Sequence, residues 1–186
     1  LFGPHQYTGL DREESYITYA GHKYSDRQFL LADGTQMPFK NQSFHRAMIS
    51  QTLHHLNDNR VGRMFEEIGR ILRDGGTLLI LDQQKAYPSQ IFTRFLQRLD
   101  QGEYIRSRHE YYKLISPHFR LIREYGAHSR FYPLTVFVVE NGRGSRNNNS
   151  YEKAGPELSV VILCYQTKEL VINLIAELEQ ALLSEN

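Results

Sequence analysis

The sequence has little cysteine, little net charge and no long hydrophobic run, and each shortage excludes a class of protein. Cys164 is the single cysteine among 186 residues. It excludes an internal disulfide framework and a cysteine-based zinc site, and it favours the cytoplasm. A net charge of +1 gives no broad field to attract nucleic acid or a membrane surface. No apolar run approaches the ~20 residues of a membrane span, and no secretory signal leads the chain.

What the sequence does contain, between residues 31 and 82, is the pattern of a βαβ unit. Phe44–Ser50 is short, mostly apolar and flanked by polar residues, as in a buried strand. Asn57 and Asp58 offer N-cap oxygens for a helix that we expect to end at the double-glycine turn of residues 74–76. Thr77–Leu81 is a second apolar strand, which suits a parallel sheet. The apolar helix positions recur at spacings of three and four: Val61, Met64, Phe65, Ile68, Ile71 and Leu72.

Segments on either side of this unit extend it into an α/β fold. Gln6–Leu10 and Gln28–Ala32 are predicted strands, separated by a predicted helix over residues 13–22. Residues 89–99 are predicted to form another helix, and residues 101–118 a polar, aromatic-rich loop with a short helix. Residues 119–125 and 132–140 are strand candidates about a hairpin-length apart. We therefore predict a Rossmann-like, mostly parallel sheet with a C-terminal antiparallel hairpin strand.

Two acidic residues follow the first two predicted strands. Asp11 and Asp33 each come directly after a strand, and ligands of open α/β sheets bind outside the carboxyl ends of the strands. A carboxylate there can accept hydrogen bonds from ribose hydroxyls or from an adenine amino group. Either residue alone would more often be a helix cap or a loop residue, but two at successive strand ends favour a nucleoside site.

Three sequence blocks in this order resemble the class I S-adenosylmethionine-dependent methyltransferases. LADGTQMPF begins at Leu31, SFHRAMISQTLHHL follows, and a helix leads into RDGGTLLILD. The family reads roughly D-A-x-x-L-P-F, then V-L-H-H-L, then R-V-L-(K/R)-P-G-G. The resemblance covers about residues 7–140 and implies methyl transfer with S-adenosylmethionine (SAM) as the cofactor.

The resemblance also implies roles for single residues near the cofactor. Asp11 matches the acidic residue that binds the ribose hydroxyls. Asp33 and Gly34 match the pair beside the adenine, with Asp33 toward its amino group. Ser50 and Gln51 match the positions that line the methionine end.

Two adjacent histidines, His54 and His55, match the histidines of the family pattern. His54 is the candidate general base, because histidine titrates near neutrality and this one is expected at the mouth of the crevice. The alternative is a helix-entry contact with no proton role. No metal site is predicted, because the sequence positions no third ligand. The aromatic stretch of residues 104–112 could line the pocket of an unidentified methyl acceptor, form a lid or pack against the fold.

The part of the family pattern that is missing matters most for the cofactor. Its first strand and its glycine-rich turn should lie upstream of Leu1, so we expect the fold to be incomplete at the N-terminus. That strand belongs between the strands ending at Asp11 and Ser50. Without it we expect two exposed edges and an uncovered apolar slot. The 186-residue chain alone should then be poorly stable, bind SAM weakly and be inactive.

The composition changes beyond the partial methyltransferase domain, residues 1–140. Residues 141–156 have the composition of a polar linker. Residues 157–186 contain an apolar strand, Leu158–Cys164, and an amphipathic helix over 169–183, an extra βα unit too small to be a domain by itself. ELSVVILCYQTKELVINLIAELEQAL resembles the opening of family-2-like glycosyltransferases, S-V-V-I-P-x-Y-N. That resemblance implies a nucleotide-sugar near Tyr165, and a glycan or glycolipid as the methyl acceptor.

Two other functions fit parts of the pattern. An NAD(P)-dependent oxidoreductase would also use Asp11 for a ribose, but it predicts a further parallel βα unit in place of the closing hairpin. A degenerate or scaffold domain would keep the fold without any methyl transfer.

Overall fold

The computed structural model describes residues 7–86, 103–128 and 133–142, and the backbone of residues 159–162. Within these ranges, seven strands form one sheet. In sheet order they are β2 (Gln28–Leu31), β1 (Tyr7–Asp11), β7 (Ser159–Ile162), β3 (Phe44–Ser50), β4 (Leu72–Gln83), β6 (Pro133–Glu140) and β5 (Arg120–His128). The first five are parallel to one another, and β6 is antiparallel to both β4 and β5. The predicted Rossmann-like α/β fold is confirmed.

One side of the sheet is short and partly exposed. Strand β1 (Tyr7–Asp11), helix α1 (Glu14–Lys23) and strand β2 (Gln28–Leu31) follow one another, as predicted. Among the residues of α1, Ala20 is the buried one, and both ends of β2 are exposed.

The centre of the fold is β3 (Phe44–Ser50), α2 (Asp58–Ile71) and β4 (Leu72–Gln83). Asn57 caps α2, because its side chain accepts the backbone N–H of Arg60 at 3.0 Å. The predicted apolar face of α2 is buried against β3 and β4.

The predicted end of α2 at the double-glycine turn is wrong. The helix ends at Ile71, and β4 begins at the next residue and continues through Gly75 and Gly76. The cause is Asn141, whose Nδ2 donates to the carbonyls of Gly69 and Leu72 at 2.9 and 3.0 Å. Carbonyls that the last helical turn leaves unpaired are thereby satisfied from another part of the chain. Asn141, placed by the sequence in the linker, is buried in the fold.

The other side of the sheet is closed by a hairpin. Helix α3 (Arg108–Ile115) leads to strands β5 (Arg120–His128) and β6 (Pro133–Glu140), which pair antiparallel. This hairpin is confirmed. Residues from α3, β4 and β6 share one core with α2, and Leu81, Leu134 and Val136 form a second cluster.

Strand β7 (Ser159–Ile162) corrects two expectations about the C-terminal segment. It pairs in parallel with β1 on one side and with β3 on the other. The slot that was expected to be empty is therefore filled by the chain's own backbone. For these four residues the assignment to a separate domain does not hold, because their ladder partners belong to the same sheet.

Other predictions lie outside the described residues. These are the helix over residues 89–99, the linker beyond Gly142, the helix over 169–183 and the role of Tyr165.

Candidate functional site

Polar residues from separate strands lie at one edge of the sheet. Leu10 pairs with Ile162, and Ile162 pairs with Ile49, so Asp11 and Ser50 come next at the same level. Two strand spacings of ~4.8 Å separate their backbones, which is about 10 Å. This carboxyl edge is the place where open α/β sheets bind ligands.

Asp11 is a buried carboxylate at the end of β1. Its Oδ1 accepts the backbone N–H of Glu13 at 2.9 Å. Burial raises the pKa of Asp11, and the backbone N–H groups of Glu13 and Arg12 offset part of that effect. A carboxylate has about four acceptor positions, so Asp11 keeps capacity for ligand hydroxyls. This geometry fits the predicted contact to a ribose.

Asp33 is already bonded within the protein. Its Oδ1 accepts the N–H and the hydroxyl of Thr35, each at 2.8 Å, and its Oδ2 accepts from the Arg60 guanidinium at 2.7 Å. Partial burial tends to raise the pKa of Asp33, but the hydrogen bonds from Thr35 and Arg60 outweigh this effect, so the pKa is lowered overall. The predicted contact to an adenine amino group would use the acceptor capacity that these three bonds leave. Gly34 packs so closely on α2 that a Cβ there would lie 2.6 Å from Met64 Cε.

Gln51 has the most unusual conformation at this edge. It follows β3 with φ of 51°, a left-handed conformation that non-glycine residues rarely adopt. Its backbone N–H donates to the carbonyl of Leu81 at 2.8 Å, which fixes the turn. Its buried Nε2 has no hydrogen-bond partner among the described residues. Strained backbone is concentrated at functional sites, and an unpaired amide N–H fits an acceptor such as the carboxylate of SAM. Ser50, predicted beside it, is also buried.

The two histidines lie on a 3₁₀ turn, Leu53–His55, directly after Gln51 and Thr52. Their ring centroids are 4.0 Å apart. His55 is exposed, whereas His54 is only 2% exposed. His54 is thus buried, whereas the sequence pattern predicts it at the mouth of the crevice. Its Nδ1 lies 2.6 Å from Oδ1 of Asp82.

Sequence reasoning missed Asp82 and Arg106, which hold this turn from both ends. Asp82 directly follows the predicted strand Thr77–Leu81, so the strand-end rule that singled out Asp11 also applies to it. Arg106 is buried and donates to the carbonyls of Leu53 and Leu56 at 2.9 and 2.7 Å. Nothing in the sequence marks this contact, because about fifty residues separate the partners.

The aromatic stretch of residues 104–112 has divided roles. Tyr111 is fully buried in the core, and its hydroxyl donates to the carbonyl of Gln83 at 3.0 Å. Tyr104 and Tyr112 are partly exposed. The backbone N–H of Tyr104 donates to the carbonyl of His54 at 3.0 Å, which puts Tyr104 beside the histidine turn. Tyr104 thus remains available to line a pocket, whereas Tyr111 does not.

The described residues offer neither a metal-binding cluster nor a membrane-spanning helix. No group of three or more His, Cys, Asp or Glu side chains in that part of the chain could hold a metal ion. None of the helices in the same ranges has the length and hydrophobicity that crossing a membrane requires.

Residues 1–80 match the family model described as a methyltransferase domain. A demethylmenaquinone methyltransferase of Thermotoga maritima is 27% identical over 99 residues, which cover 50% of this chain and 42% of that protein. This chain therefore matches less than half the length of that curated relative. Both matches agree with the methyltransferase resemblance found in the sequence.

Solved structures show the same fold. A SAM-dependent methyltransferase from Methanosarcina mazei superimposes with a TM-score of 0.60 at 15% identity, covering 72% of this chain and 80% of that one. The N-methyltransferase NodS from Bradyrhizobium japonicum WM9 has a TM-score of 0.57 at 11% identity, covering 72% of each chain. At these identities the likeness concerns the fold alone.

Proposed function

We propose that this protein transfers a methyl group from SAM to a small-molecule acceptor. The observation that carries the proposal is the carboxyl edge of the sheet, where buried Asp11, strained Gln51 and the buried His54–Asp82 pair come from neighbouring strand ends of a fold shared with methyltransferases. The match of residues 1–80 to a methyltransferase domain supports the same activity.

In this proposal, residues of the β1 and β3 ends hold the cofactor. Asp11 accepts hydrogen bonds from the ribose hydroxyls, and Asp33 and Gly34 lie beside the adenine. Ser50 and Gln51 border the methionine end, where Gln51 Nε2 donates to the carboxylate. When bound, the cofactor supplies an electrophilic methyl group on a sulfonium. The protein's main contribution is to hold the acceptor atom in line with that methyl group. His54 removes the acceptor's proton.

Replacing Asp11 tests the cofactor site. We expect Asp11→Asn to weaken SAM binding about 10- to 100-fold, because a charge-assisted hydrogen bond contributes ~1.5–3 kcal/mol. Because the pKa of Asp11 is raised, wild-type affinity should fall with falling pH, starting above the ordinary pKa of an aspartate, and this fall should be absent in Asp11→Asn. Isothermal titration between pH 4 and 8 measures both effects.

The control is Asp26→Asn, which makes the same chemical change at an exposed residue ahead of β2. SAM affinity that is equal in Asp11→Asn and in the control would remove Asp11 from the proposal. A failure of the wild-type chain to bind SAM at all would contradict the proposed cofactor site.

The hairpin of β5 and β6 favours methyl transfer over NAD(P)-dependent oxidoreduction. An oxidoreductase on a similar sheet would continue with a parallel βα unit, whereas β5 and β6 pair antiparallel. Thermal shift with SAM and with NAD separates these two functions, because a ligand that binds the native state raises its melting temperature. Stabilisation by NAD alone would contradict the proposal. No methyl transfer by a chain that binds SAM would favour a scaffold domain.

A second, finer proposal concerns the acceptor and the C-terminal segment. The resemblance of residues 157–182 to family-2-like glycosyltransferases supports a glycan or glycolipid acceptor and a nucleotide-sugar bound near Tyr165. The pairing of Ser159–Ile162 within the methyltransferase sheet weighs against a separate glycosyltransferase domain. Titration with a uridine diphosphate sugar tests it: saturable binding would support the fusion, and none would leave methyl transfer alone.

A further inference from the structure

The Asp82 carboxylate at the end of β4 is fully buried and surrounded by donors. Its two oxygens lie within hydrogen-bond distance of five groups: the backbone N–H of Thr52 (3.1 Å), Leu53 (2.7 Å) and Gln83 (2.8 Å), Nδ1 of His54 (2.6 Å) and the hydroxyl of Tyr111 (3.3 Å). A carboxylate has about four acceptor positions, so the donors around Asp82 use its capacity in full.

The direction of these bonds fixes the proton on His54. Three of the donors are backbone N–H groups, which can only donate, and they occupy both oxygens of Asp82. Asp82 is therefore the acceptor in these contacts. Nδ1 of His54 must then carry the hydrogen that it shares with Asp82. In a neutral imidazole with Nδ1–H, the other nitrogen, Nε2, is the one that can accept a proton.

Tyr111 reinforces the same arrangement. Burial raises the pKa of its hydroxyl, and the negative charge of Asp82 raises it further. The hydroxyl therefore stays protonated, and its single hydrogen is shared between Asp82 and the carbonyl of Gln83.

The orientation of the ring is fixed as well, because the turn that carries His54 is held at both ends. Asp82 accepts the N–H groups at its start, and Arg106 donates to the carbonyls of Leu53 and Leu56 at its end. His54 itself contributes its carbonyl to the N–H of Tyr104. These contacts tie one short turn to β4 and to the segment before α3.

We propose that Asp82 is the positioning residue that holds His54 as the Nδ1–H tautomer, which makes Nε2 the nitrogen that acts as the general base. This inference rests on the proposed methyl transfer. The acceptor's proton goes to Nε2, and the electron pair it leaves forms the bond to the methyl carbon. The electron pair of the broken carbon–sulfur bond stays on the sulfur. Asp82 stabilises the imidazolium that results, and it does not itself take up the proton.

The first experiment reads the tautomer directly. Nitrogen-15 NMR of the wild-type protein with SAM, at a pH above the ordinary pKa of histidine, should show His54 with a protonated Nδ1 and an unprotonated Nε2. His54→Gln identifies its signals. A proton on Nε2, or on both nitrogens, overturns the inference. The readout needs no turnover, so it is independent of whether the acceptor has been found.

The second experiment is kinetic. Asp82→Asn should lower kcat about 10²- to 10⁴-fold, the usual contribution of a general base, with SAM affinity changed less than about twofold. His54→Gln should lower kcat as much, and the double variant no further, because the two residues act as one unit. The control is Asp74→Asn, the same change at an exposed residue of β4.

Full activity in His54→Gln, or effects of the two single variants that add, would overturn the inference. If Asp82→Asn does not fold, the NMR measurement of the tautomer and the kinetics of His54→Gln still test the inference. A protein with the expected tautomer that binds SAM and methylates no acceptor contradicts the proposed function instead.

Discussion

The two sides of the candidate site are built in different ways. On the β1–β2 side, Asp11 and Asp33 bond mainly to groups two residues away in the chain, Glu13 and Thr35. On the β3–β4 side, the pair His54–Asp82 is 28 residues apart, and Arg106 reaches back 50 residues to Leu56. The first side depends on local turns near the surface, and the second on buried contacts between distant segments. Stability and proton chemistry should therefore be more sensitive to substitution on the second side.

Strand β7 joins the two sides, so breaking it should have the largest effect. Val161 pairs with Gly9 of β1 and with Met48 of β3. Val161→Pro removes a ladder hydrogen bond from a central strand, where proline is essentially not found. We expect a loss of more than about 3 kcal/mol in unfolding free energy, by analogy with proline inside a helix. SAM affinity should fall at least about tenfold, since Asp11 and Gln51 lie on opposite sides of β7.

Val161→Ala, which keeps the N–H, is the matched control and should lose less on both measures. Urea unfolding and isothermal titration give the two quantities. Unchanged stability and affinity in Val161→Pro would mean that residues 159–162 do not hold the centre of the sheet in solution.

Two arginines allow a direct comparison of the sides. Arg106→Met leaves the buried carbonyl of Leu56 without a donor, at a cost of ~1–3 kcal/mol, and takes one of two donors from the carbonyl of Leu53, which keeps the N–H of Leu56. We expect a loss of about 2 kcal/mol, which corresponds to ~4–8 °C in Tm for a chain of this size. Arg60→Met removes a half-exposed ion pair with Asp33 and should cost less than about 1 kcal/mol. Equal losses in thermal melts would contradict the distinction between the two sides.

Glycine substitutions make a finer comparison. A Cβ at Gly76 in β4 would lie 2.8 Å from the carbonyl oxygen of Arg73 and 3.1 Å from that of His45, and backbone cannot move aside easily. Gly76→Ala should therefore cost ~1–3 kcal/mol, as overpacking usually does. At Gly34 the obstacle is the tip of the flexible Met64 side chain, so Gly34→Ala should cost less than about 1 kcal/mol. The reverse order in urea unfolding would contradict this.

The same contrast explains what the sequence could predict. The apolar face of α2, its cap at Asn57 and the strand-end positions of Asp11 and Asp33 follow from spacings of a few residues. The end of α2 could not be predicted in the same way, because Asn141 sets it from about seventy residues away. The place of β7 depended on which segment fills a gap in the sheet. Neither a composition shift nor an apolar run encodes that choice.

The smallest expected effect tests whether sensitivity to substitution depends on burial or on the side of the site on which a residue lies. Helix α3 follows Arg106 on the buried side, but its N-terminal capping box is exposed: Ser107 Oγ accepts the Glu110 N–H at 3.3 Å, and Glu110 accepts the Ser107 N–H at 2.7 Å. Ser107→Ala should cost ~1 kcal/mol above pH 4.5. Glu110→Gln keeps the capping pattern and removes the charge, so it should cost less, because solvent screens a side chain that is 47% exposed.

The pH dependence of the Glu110 effect has a definite sign. The Ser107 N–H, followed by the Lys85 ammonium, lowers the pKa of Glu110 from 4.5 to about 2. Its contribution to stability is therefore fully present above pH 4.5 and is lost as the pH falls toward 2. The difference in Tm between wild type and Glu110→Gln should shrink over this window, whereas the Ser107→Ala difference should shrink less, because the Ser107 hydroxyl supplies only part of this pKa shift. Glu110→Gln could lower the unfolding free energy as much as Arg106→Met does. That result would mean that closeness to the histidine turn, and not burial, decides how sensitive a residue on this side is to substitution.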